Sequence, residues 1–407
     1  MSTIQPKTLK GFRDFLPEQA KKRTYVLNIL KKVFESYGFE PLETPALEYE
    51  EILLGKYGDE GDKLMYRFID NGKRKVAMRY DQTVPLARVV TQYQNDLPLP
   101  FKRYQMQNVY RAENTQKGRY REFLQVDLDI VGIYSPLADA ETIVACVDCL
   151  KALGFEKFKI LVNDRMLFSN LPNRGITDSE VPVVIRAIDK LKKIGKEKVL
   201  EELIENGIES QRASYLLEAL ESEKPTPKID EIFSAVEKMG VDKKFIEFLP
   251  TLARGLDYYT GIIFEVEIDG YDTGSVAGGG RYDNLIGMFA GRDIPAVGFA
   301  FGFDRLMEAM ETLDLFPKNL NSKDILVAFS LSELEEKALK TTTSLRNKGL
   351  NVQVYLEDAT LEKQLKYADK KKISFVLIVN SDSFVLKNMV SGEQKSVSLE
   401  NLPNELK

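Results

Sequence analysis

A chain of 407 residues, 43% hydrophobic and 29% charged, has the composition of a globular protein with about two or three full-sized cores. It holds no histidine, which removes imidazole acid–base catalysis, Ser/His and Cys/His nucleophile pairs and nearly every zinc enzyme. The net charge of −5 does not advertise nucleic-acid binding. No run approaches the roughly 18 apolar residues of a bilayer span, and the N-terminus lacks the pattern of a cleaved leader, so the expected location is the cytoplasm.

In chain order, Gly11 to Pro17 (GFRDFLP) is a Gly/Pro-punctuated entry segment. A helix is predicted from about Glu18 to Tyr37, because Val26, Ile29, Leu30, Val33, Phe34 and Tyr37 fall on one face and Gly38 stops it. Phe39 to Leu47 carries Pro41 and Pro45 and reads as extended, kinked chain at a sheet edge or an interface. Tyr66–Ile69 and Lys75–Arg79 read as a hairpin around Asp70-Asn71-Gly72. In the following Arg79–Pro85 stretch, Pro85 is expected as the first residue of a helix. Phe101–Tyr110 and Leu124–Ile130 read as two antiparallel strands joined by a polar tip, Arg111 to Phe123. The two cysteines, Cys146 and Cys149, lie inside an apolar helical pattern without two further soft ligands, so core packing is expected there.

From about 164 to 244 the pattern changes to short amphipathic helices rich in Lys and Glu, namely Val184–Ile194, Val199–Glu205 and Ile229–Met239. It reads as a helical insertion, with Pro225 and Pro227 marking a loop. The sheet resumes in Arg254–Val266 (RGLDYYTGIIFEV), where an arginine, glycines and two phenols precede a β-branched run. An arginine in such a turn suits a phosphate or carboxylate, because its planar fork makes two parallel charge-assisted bonds. Next come Ala277–Asp283 (AGGGRYD) and Ala296–Arg305 (AVGFAFGFDR), the latter leading into a helix. A polar linker at Phe316–Lys323 separates residues 1–320, an α+β unit, from residues 322–407. There Ile325–Phe329, Glu333–Asn347, Val352–Leu356, Leu361–Lys371 and Phe375–Val379 alternate as strand and helix, an α/β domain with a mixed sheet. Lys363, Lys366 and Lys370 cluster on the second of those helices. The alternatives for them are a phosphate-backbone patch or a solvated helix face.

Arginines in separate loops (Arg111, Arg119 or Arg121, Arg254, Arg305), interspersed with acceptors (Asp81, Thr83, Glu113, Gln125, Asp129) and phenols (Tyr258, Tyr259, Tyr282), suit phosphoryl or nucleotidyl transfer. That chemistry needs positioning and charge stabilisation more than a protein nucleophile. A triphosphate would bring Mg²⁺, held chiefly by its own phosphates and one or two carboxylates. Neither a Walker A pattern nor a GxGxxG opening a βαβ unit is present.

These segments resemble the three motifs of the class II aminoacyl-tRNA synthetases. The helix with the Pro41–Pro45 stretch is similar to the dimer-interface motif, Arg111-x-Glu113 … Phe123 to the second motif, and Gly298–Arg305 to the third. RGLDYYTG at 254–261 and AGGGRYD at 277–283 resemble the stretches that mark the histidyl-tRNA synthetase family, and the likeness runs through the whole chain in the family's order. The resemblance implies a class II catalytic domain (an antiparallel sheet flanked by helices), an inserted helical domain on the tRNA acceptor arm, and a C-terminal anticodon-binding domain. It implies a cytoplasmic homodimer that uses ATP and Mg²⁺ to join L-histidine to tRNA(His) through a histidyl-adenylate.

By the same resemblance, Arg111 holds the ATP α-phosphate, Glu113 and Arg119 bind the nucleotide, and Phe123 and Arg305 stack on the two faces of adenine. Arg254 is the catalytic arginine at the α-phosphorus. Asp81, Thr83 and Gln125 hold the α-ammonium, while Asp129, Tyr258, Tyr259 and Tyr282 line the imidazole site. A carboxylate and phenols can satisfy the one donor and one acceptor of an imidazole. Gln116 and Lys117, with Lys363, Lys366 and Lys370, face tRNA. The loop Asn114-Thr115-Gln116-Lys117-Gly118 departs from the Arg-Pro-Gln-Lys-Gly usual in bacterial members, and Asp304 stands where Glu is common. An alternative within the same fold is a non-catalytic regulatory subunit of ATP phosphoribosyltransferase, which lacks the anticodon domain and alters the Arg254 stretch.

Overall fold

In a computed structural model the chain divides into two compact units, Met1–Phe316 and Pro317–Lys407. The structure describes residues 4–56, 58–115, 118–253, 258–317, 320, 324–330 and 332–406.

The first unit is built on an eight-stranded sheet. Its spatial order is Glu40–Pro41, Phe101–Tyr110, Glu122–Val131, Ala296–Gly302, Ala277–Arg281, Ile262–Ile268, Phe158–Asp164 and Ile246–Phe248. The six inner strands pair antiparallel, and only the two short edge strands pair parallel. The Pro41 stretch therefore supplies the edge, where a missing N–H costs no ladder bond.

Successive side chains of a strand point to opposite faces. In Glu122–Val131 the residues Leu124, Val126, Leu128 and Ile130 are buried in the main apolar core, together with Val26, Leu30 and Phe34 of the helix Pro17–Ser36. The helix Pro136–Ala152 fills the same core, and Cys146 and Cys149 are buried there as free thiols whose ionisation burial disfavours. Its first turn is held by Ser135, whose hydroxyl accepts from the Leu137 N–H at 3.2 Å.

Between residues 166 and 238 lie the helices Met166–Ser169, Val181–Ile188, Leu191–Glu205, Ser210–Glu221 and Pro227–Lys238. The third bends at Gly195, which takes φ 83°. Pro227 lies in the first turn of its helix, capped by Thr226, not in a loop. That helix buries Ile232 and Val236 in the main core, whereas Val184, Val199, Leu203 and Leu216 join the second one.

A separate three-stranded sheet orders Leu47–Tyr49, Lys75–Met78 and Arg67–Ile69 antiparallel. Its turn is longer than the Asn-Gly signal suggests: Lys73, not Gly72, takes the left-handed φ of 60°, and Asp70 accepts from the Lys73 N–H. The helix after it is Thr83–Gln92, so Pro85 stands at its third position.

The second unit has a mixed sheet ordered Asn351–Val354, Asp324–Ala328, Phe375–Val379, Phe384–Asn388 and Gln394–Val397. The first three strands are parallel and the last two antiparallel. Helices Glu335–Asn347 and Leu361–Lys370 complete it.

Candidate active site

On the face of the large sheet opposite the main core lies a cavity of about 520 Å³. Its floor is set by strand alternation. Phe123, Gln125, Asp127 and Asp129 share one phase of their strand and all line it. In register, Asp129 stands between Arg103 and Gly298, Asp127 between Gln105 and Ala300, and Gln125 between Gln107 and Gly302. Small residues on one side and long polar ones on the other let the carboxylates lie over the sheet. A Cβ at Gly298 would sit 2.0 Å from Asp129 Oδ1 and 2.4 Å from the Leu128 carbonyl oxygen. Only glycine leaves room for that carboxylate.

Arg103 is fully buried and its Nη2 lies 2.7 Å from Asp129 Oδ2 and 3.9 Å from Asp127 Oδ2. The Tyr282 hydroxyl donates to Asp129 Oδ1. Burial raises the Asp129 carboxyl above its ordinary range, and Arg103 and Tyr282 pull it back. Burial pushes Asp127 up to about 8, against the pull of Arg103 and helped by Asp129 and Asp81. Burial, then the Asp129 charge, holds the Tyr282 phenol well above its usual value, so it stays a proton donor. Tyr258 packs against both Tyr259 and Tyr282, with ring centroids 4.8 and 5.9 Å away.

Gln125 Nε2 donates to both oxygens of Asp127, at 3.0 and 3.3 Å. That leaves its carbonyl oxygen, Oε1, buried without a partner among the described residues. A buried unpaired acceptor costs about 1–3 kcal/mol, so a donor from a ligand is the chemistry this atom fits. Asp81 Oδ1 accepts from the Thr83 and Val84 N–H groups at 3.0 and 3.1 Å, which places Thr83 and Asp81 at the start of their helix and on the wall.

The other end of the cavity carries cations. Arg111 Nε donates to the Tyr80 carbonyl at 3.1 Å, and its guanidinium lies 4.3 Å from the Tyr80 ring and 5.1 Å from that of Phe123. Arg305 Nη1 donates to the Ser275 carbonyl at 3.0 Å. Arg119 is half exposed and 3.7 Å from Glu113. Arg121 is not among the lining residues; its Nε donates to the Glu113 carbonyl at 3.0 Å. Cations and an aromatic ring at one end, carboxylates and phenols at the other, form a site for a polyanion next to a small cationic or N–H-donating group.

The profile described as Histidyl-tRNA synthetase matches residues 11–306, and that of an anticodon binding domain matches residues 321–407. The chain belongs to the histidyl-tRNA synthetase family. A Histidine–tRNA ligase of Cytophaga hutchinsonii is 40% identical over 99% of both chains, and one of Aeropyrum pernix 41% identical over 98% of this chain and 97% of its own. The crystal structure of a histidyl-tRNA synthetase from Nostoc sp. superposes with a TM-score of 0.87 at 31% identity, covering 99% of each chain.

Of the candidate site residues read from the sequence, the structure brings Asp81, Thr83, Arg111, Glu113, Arg119, Phe123, Gln125, Asp129, Tyr258, Tyr259, Tyr282 and Arg305 to one cavity. Arg254, Gln116 and Lys117 lie outside the described residues. Lys363, Lys366 and Lys370 are exposed in the second unit, with Lys363 paired to Glu357 and Lys366 to Glu362. The sequence reading missed Arg103, Asp127 and Gln82. Gln82 is fully buried, its Nε2 bridging the Gln107 and Gln125 carbonyls at 2.8 and 3.0 Å. It also passed over Arg281, whose guanidinium is buried in a two-pronged pair with Asp139.

Proposed function

We propose that this chain ligates L-histidine to tRNA(His) through a histidyl-adenylate. The observation that carries this reading is the graded cavity: the polar row Gln125, Asp127, Asp129 with Tyr282 at one end, and Arg111, Arg305 and Phe123 at the other. In the first step a histidine carboxylate oxygen forms a bond to the ATP α-phosphorus and the bond to pyrophosphate breaks. In the second the acyl group passes to a ribose hydroxyl at the tRNA 3′ end and AMP leaves.

Arg111 holds the α-phosphate, and Arg254 stabilises its developing charge. Phe123 and Arg305 hold the adenine, with Glu113 and Arg119 at its edge. Asp81, Thr83 and the open carbonyl of Gln125 take the α-ammonium. Asp129, held as an acceptor by Arg103 and Tyr282, reads an imidazole N–H beside Tyr258 and Tyr259. Polar pockets of this kind reject ligands that leave their groups unpaired, by up to ~10⁴–10⁵. No cluster of three or more metal-ligating side chains occurs among the described residues. Mg²⁺ would arrive on the triphosphate, and Glu265 on the cavity wall is the carboxylate that would contact it. The ion would neutralise charge on the phosphate oxygens.

Gln116 and Lys117 would meet the tRNA acceptor end, and Lys363, Lys366 and Lys370 its anticodon arm. A second copy would cover the three-stranded sheet, where Leu47, Tyr49 and Phe68 are 44, 52 and 45% exposed. No helix among the described residues is long and apolar enough to cross a membrane.

The test is ATP–pyrophosphate exchange with each amino acid in turn. Exchange with histidine alone, falling by ~10² or more in Arg254→Ala, is the expected result. Absence of exchange with every amino acid would overturn it and favour the regulatory-subunit reading.

A further inference from the structure

The entry segment 11–17 has no part in the chemistry above, yet it touches both halves of the nucleotide end. Gly11 takes φ 88°, and its carbonyl accepts from the Arg121 N–H at 2.9 Å. A Cβ there would lie 2.7 Å from two carbons of the Arg121 side chain. Arg121 in turn donates to the Glu113 carbonyl. Two residues on, the Arg13 guanidinium lies 3.2 Å from the centre of the Tyr120 ring and donates to Asp304 Oδ2 at 2.7 Å. Arg23, from the first helix, donates to Asp304 Oδ1 at 2.8 Å and lies 3.9 Å from the Phe15 ring. Asp304 and Tyr120 both line the cavity, and Asp304 precedes Arg305.

Arg13 and Asp304 are 27 and 12% exposed, so their pair is screened less than a surface pair and holds its geometry better. The connection is local on neither side: Arg13 and Asp304 are 291 residues apart. It adds a side-chain link from the segment leading into the second motif's return strand to the helix of the third, which otherwise meets that strand through apolar packing.

We propose that Arg13 is a positioning residue for ATP, fastening the Tyr120–Arg121 segment to Asp304 so that the groups on the two walls of the nucleotide end keep a fixed separation. The inference rests on the functional reading above. Arg13 touches no reacting atom. Its effect passes through Asp304 to the neighbouring Arg305, and through Tyr120 and Arg121 to Glu113, so it should act on ATP and leave histidine alone.

The test uses the full-length protein and two readouts. In histidine-dependent pyrophosphate exchange, Arg13→Gln should raise KM for ATP ~10-fold and leave KM for histidine within about twofold, with Arg13→Lys intermediate. Arg13→Gln and Asp304→Asn should be non-additive, because each breaks the same connection. Independently of any activity, hydrogen exchange at the Arg121 amide should speed up in Arg13→Gln, since that N–H is bonded to the Gly11 carbonyl. If Arg13→Gln does not fold, Tyr120→Leu removes the ring and keeps the ion pair, and the same split in KM is expected. An unchanged KM for ATP, or equal rises for both substrates, would overturn the proposal. A wild type inactive with histidine would sink the functional reading, while the Arg121 amide would still decide whether the fastening exists.

Discussion

At the end of the cavity assigned to histidine, Arg103, Asp127, Asp129 and Tyr282 are 0, 2, 4 and 2% exposed. At the end assigned to ATP, the Arg119 side chain is 50% exposed and lies 3.7 Å from its carboxylate partner. The first is a dry, prepaired constellation in which the carboxylates already have a cation and a phenol. The second is a more open set of cations beside Asp304, which Arg13 and Arg23 pair from outside the cavity. The difference follows from what each ligand offers. A small imidazole must be told from other side chains by a few bonds, so each acceptor has to be fixed beforehand. A triphosphate carries enough charge to organise mobile arginines as it arrives.

The sharpest way to break the contrast is to remove the cation under the carboxylates. Arg103→Met leaves Asp129, its 2.7 Å partner, buried without a counter-charge. A buried pair stripped of one partner loses about 3–5 kcal/mol. Urea unfolding should show a loss of that order, with histidine-dependent exchange reduced to background. A loss under about 1 kcal/mol would mean that Asp129 too is neutral in the resting protein and that Arg103 is dispensable.

A second pair of substitutions measures the two ends against each other. Tyr282→Phe deletes one hydrogen bond to a buried carboxylate, an interaction of about 1.5–3 kcal/mol, so KM for histidine should rise ~10–100-fold with KM for ATP nearly constant. Arg119→Ala deletes a half-exposed, loosely paired cation, and exposed pairs of this kind contribute about 0–1 kcal/mol, so KM for ATP should rise no more than ~5-fold. Equal effects of the two substitutions would erase the distinction between a fixed and an adjustable end.

What the sequence disclosed follows the same line. The apolar phase Leu124, Val126, Leu128, Ile130 marks the buried face of one strand, and its polar phase contains Gln125 and Asp129, both assigned from the resemblance. Asp127 stands in that phase too and was passed over, as was Arg103 across the ladder; polar residues alternating inside a ten-residue strand were the available signal. Other partners were out of reach of local patterns. Tyr282 meets Asp129 across 153 residues, through two strand pairings that no window of sequence contains. The entry segment GFRDFLP looked like punctuation because its acceptor, Asp304, lies near the far end of the unit. In the second unit the strand–helix alternation was readable, but the hairpin Phe384–Asn388 with Gln394–Val397 was not. Its second strand is mostly exposed and carries little apolar alternation.

The smallest effect expected is also the one that separates burial from pairing as the source of the dry end's character. Asp127 has its carboxyl pushed from 3.8 to about 8, first by burial, with Asp129 and Asp81 adding to it and Arg103 opposing. Between about pH 4 and 8 the folded protein therefore holds a proton at this carboxyl that the unfolded chain has released. The folded state binds more protons in that window, so its stability falls as pH rises through it. The free protein should lose a few degrees of melting temperature on going from pH 6 to pH 9, and Asp127→Asn, which cannot ionise, should flatten that slope. Asn keeps an oxygen that can accept from Gln125 Nε2, so the fold should be retained. A slope identical in wild type and Asp127→Asn would show that Arg103 keeps Asp127 ionised throughout. The histidine end would then be held together by charge pairing and not by a shared shortage of charge.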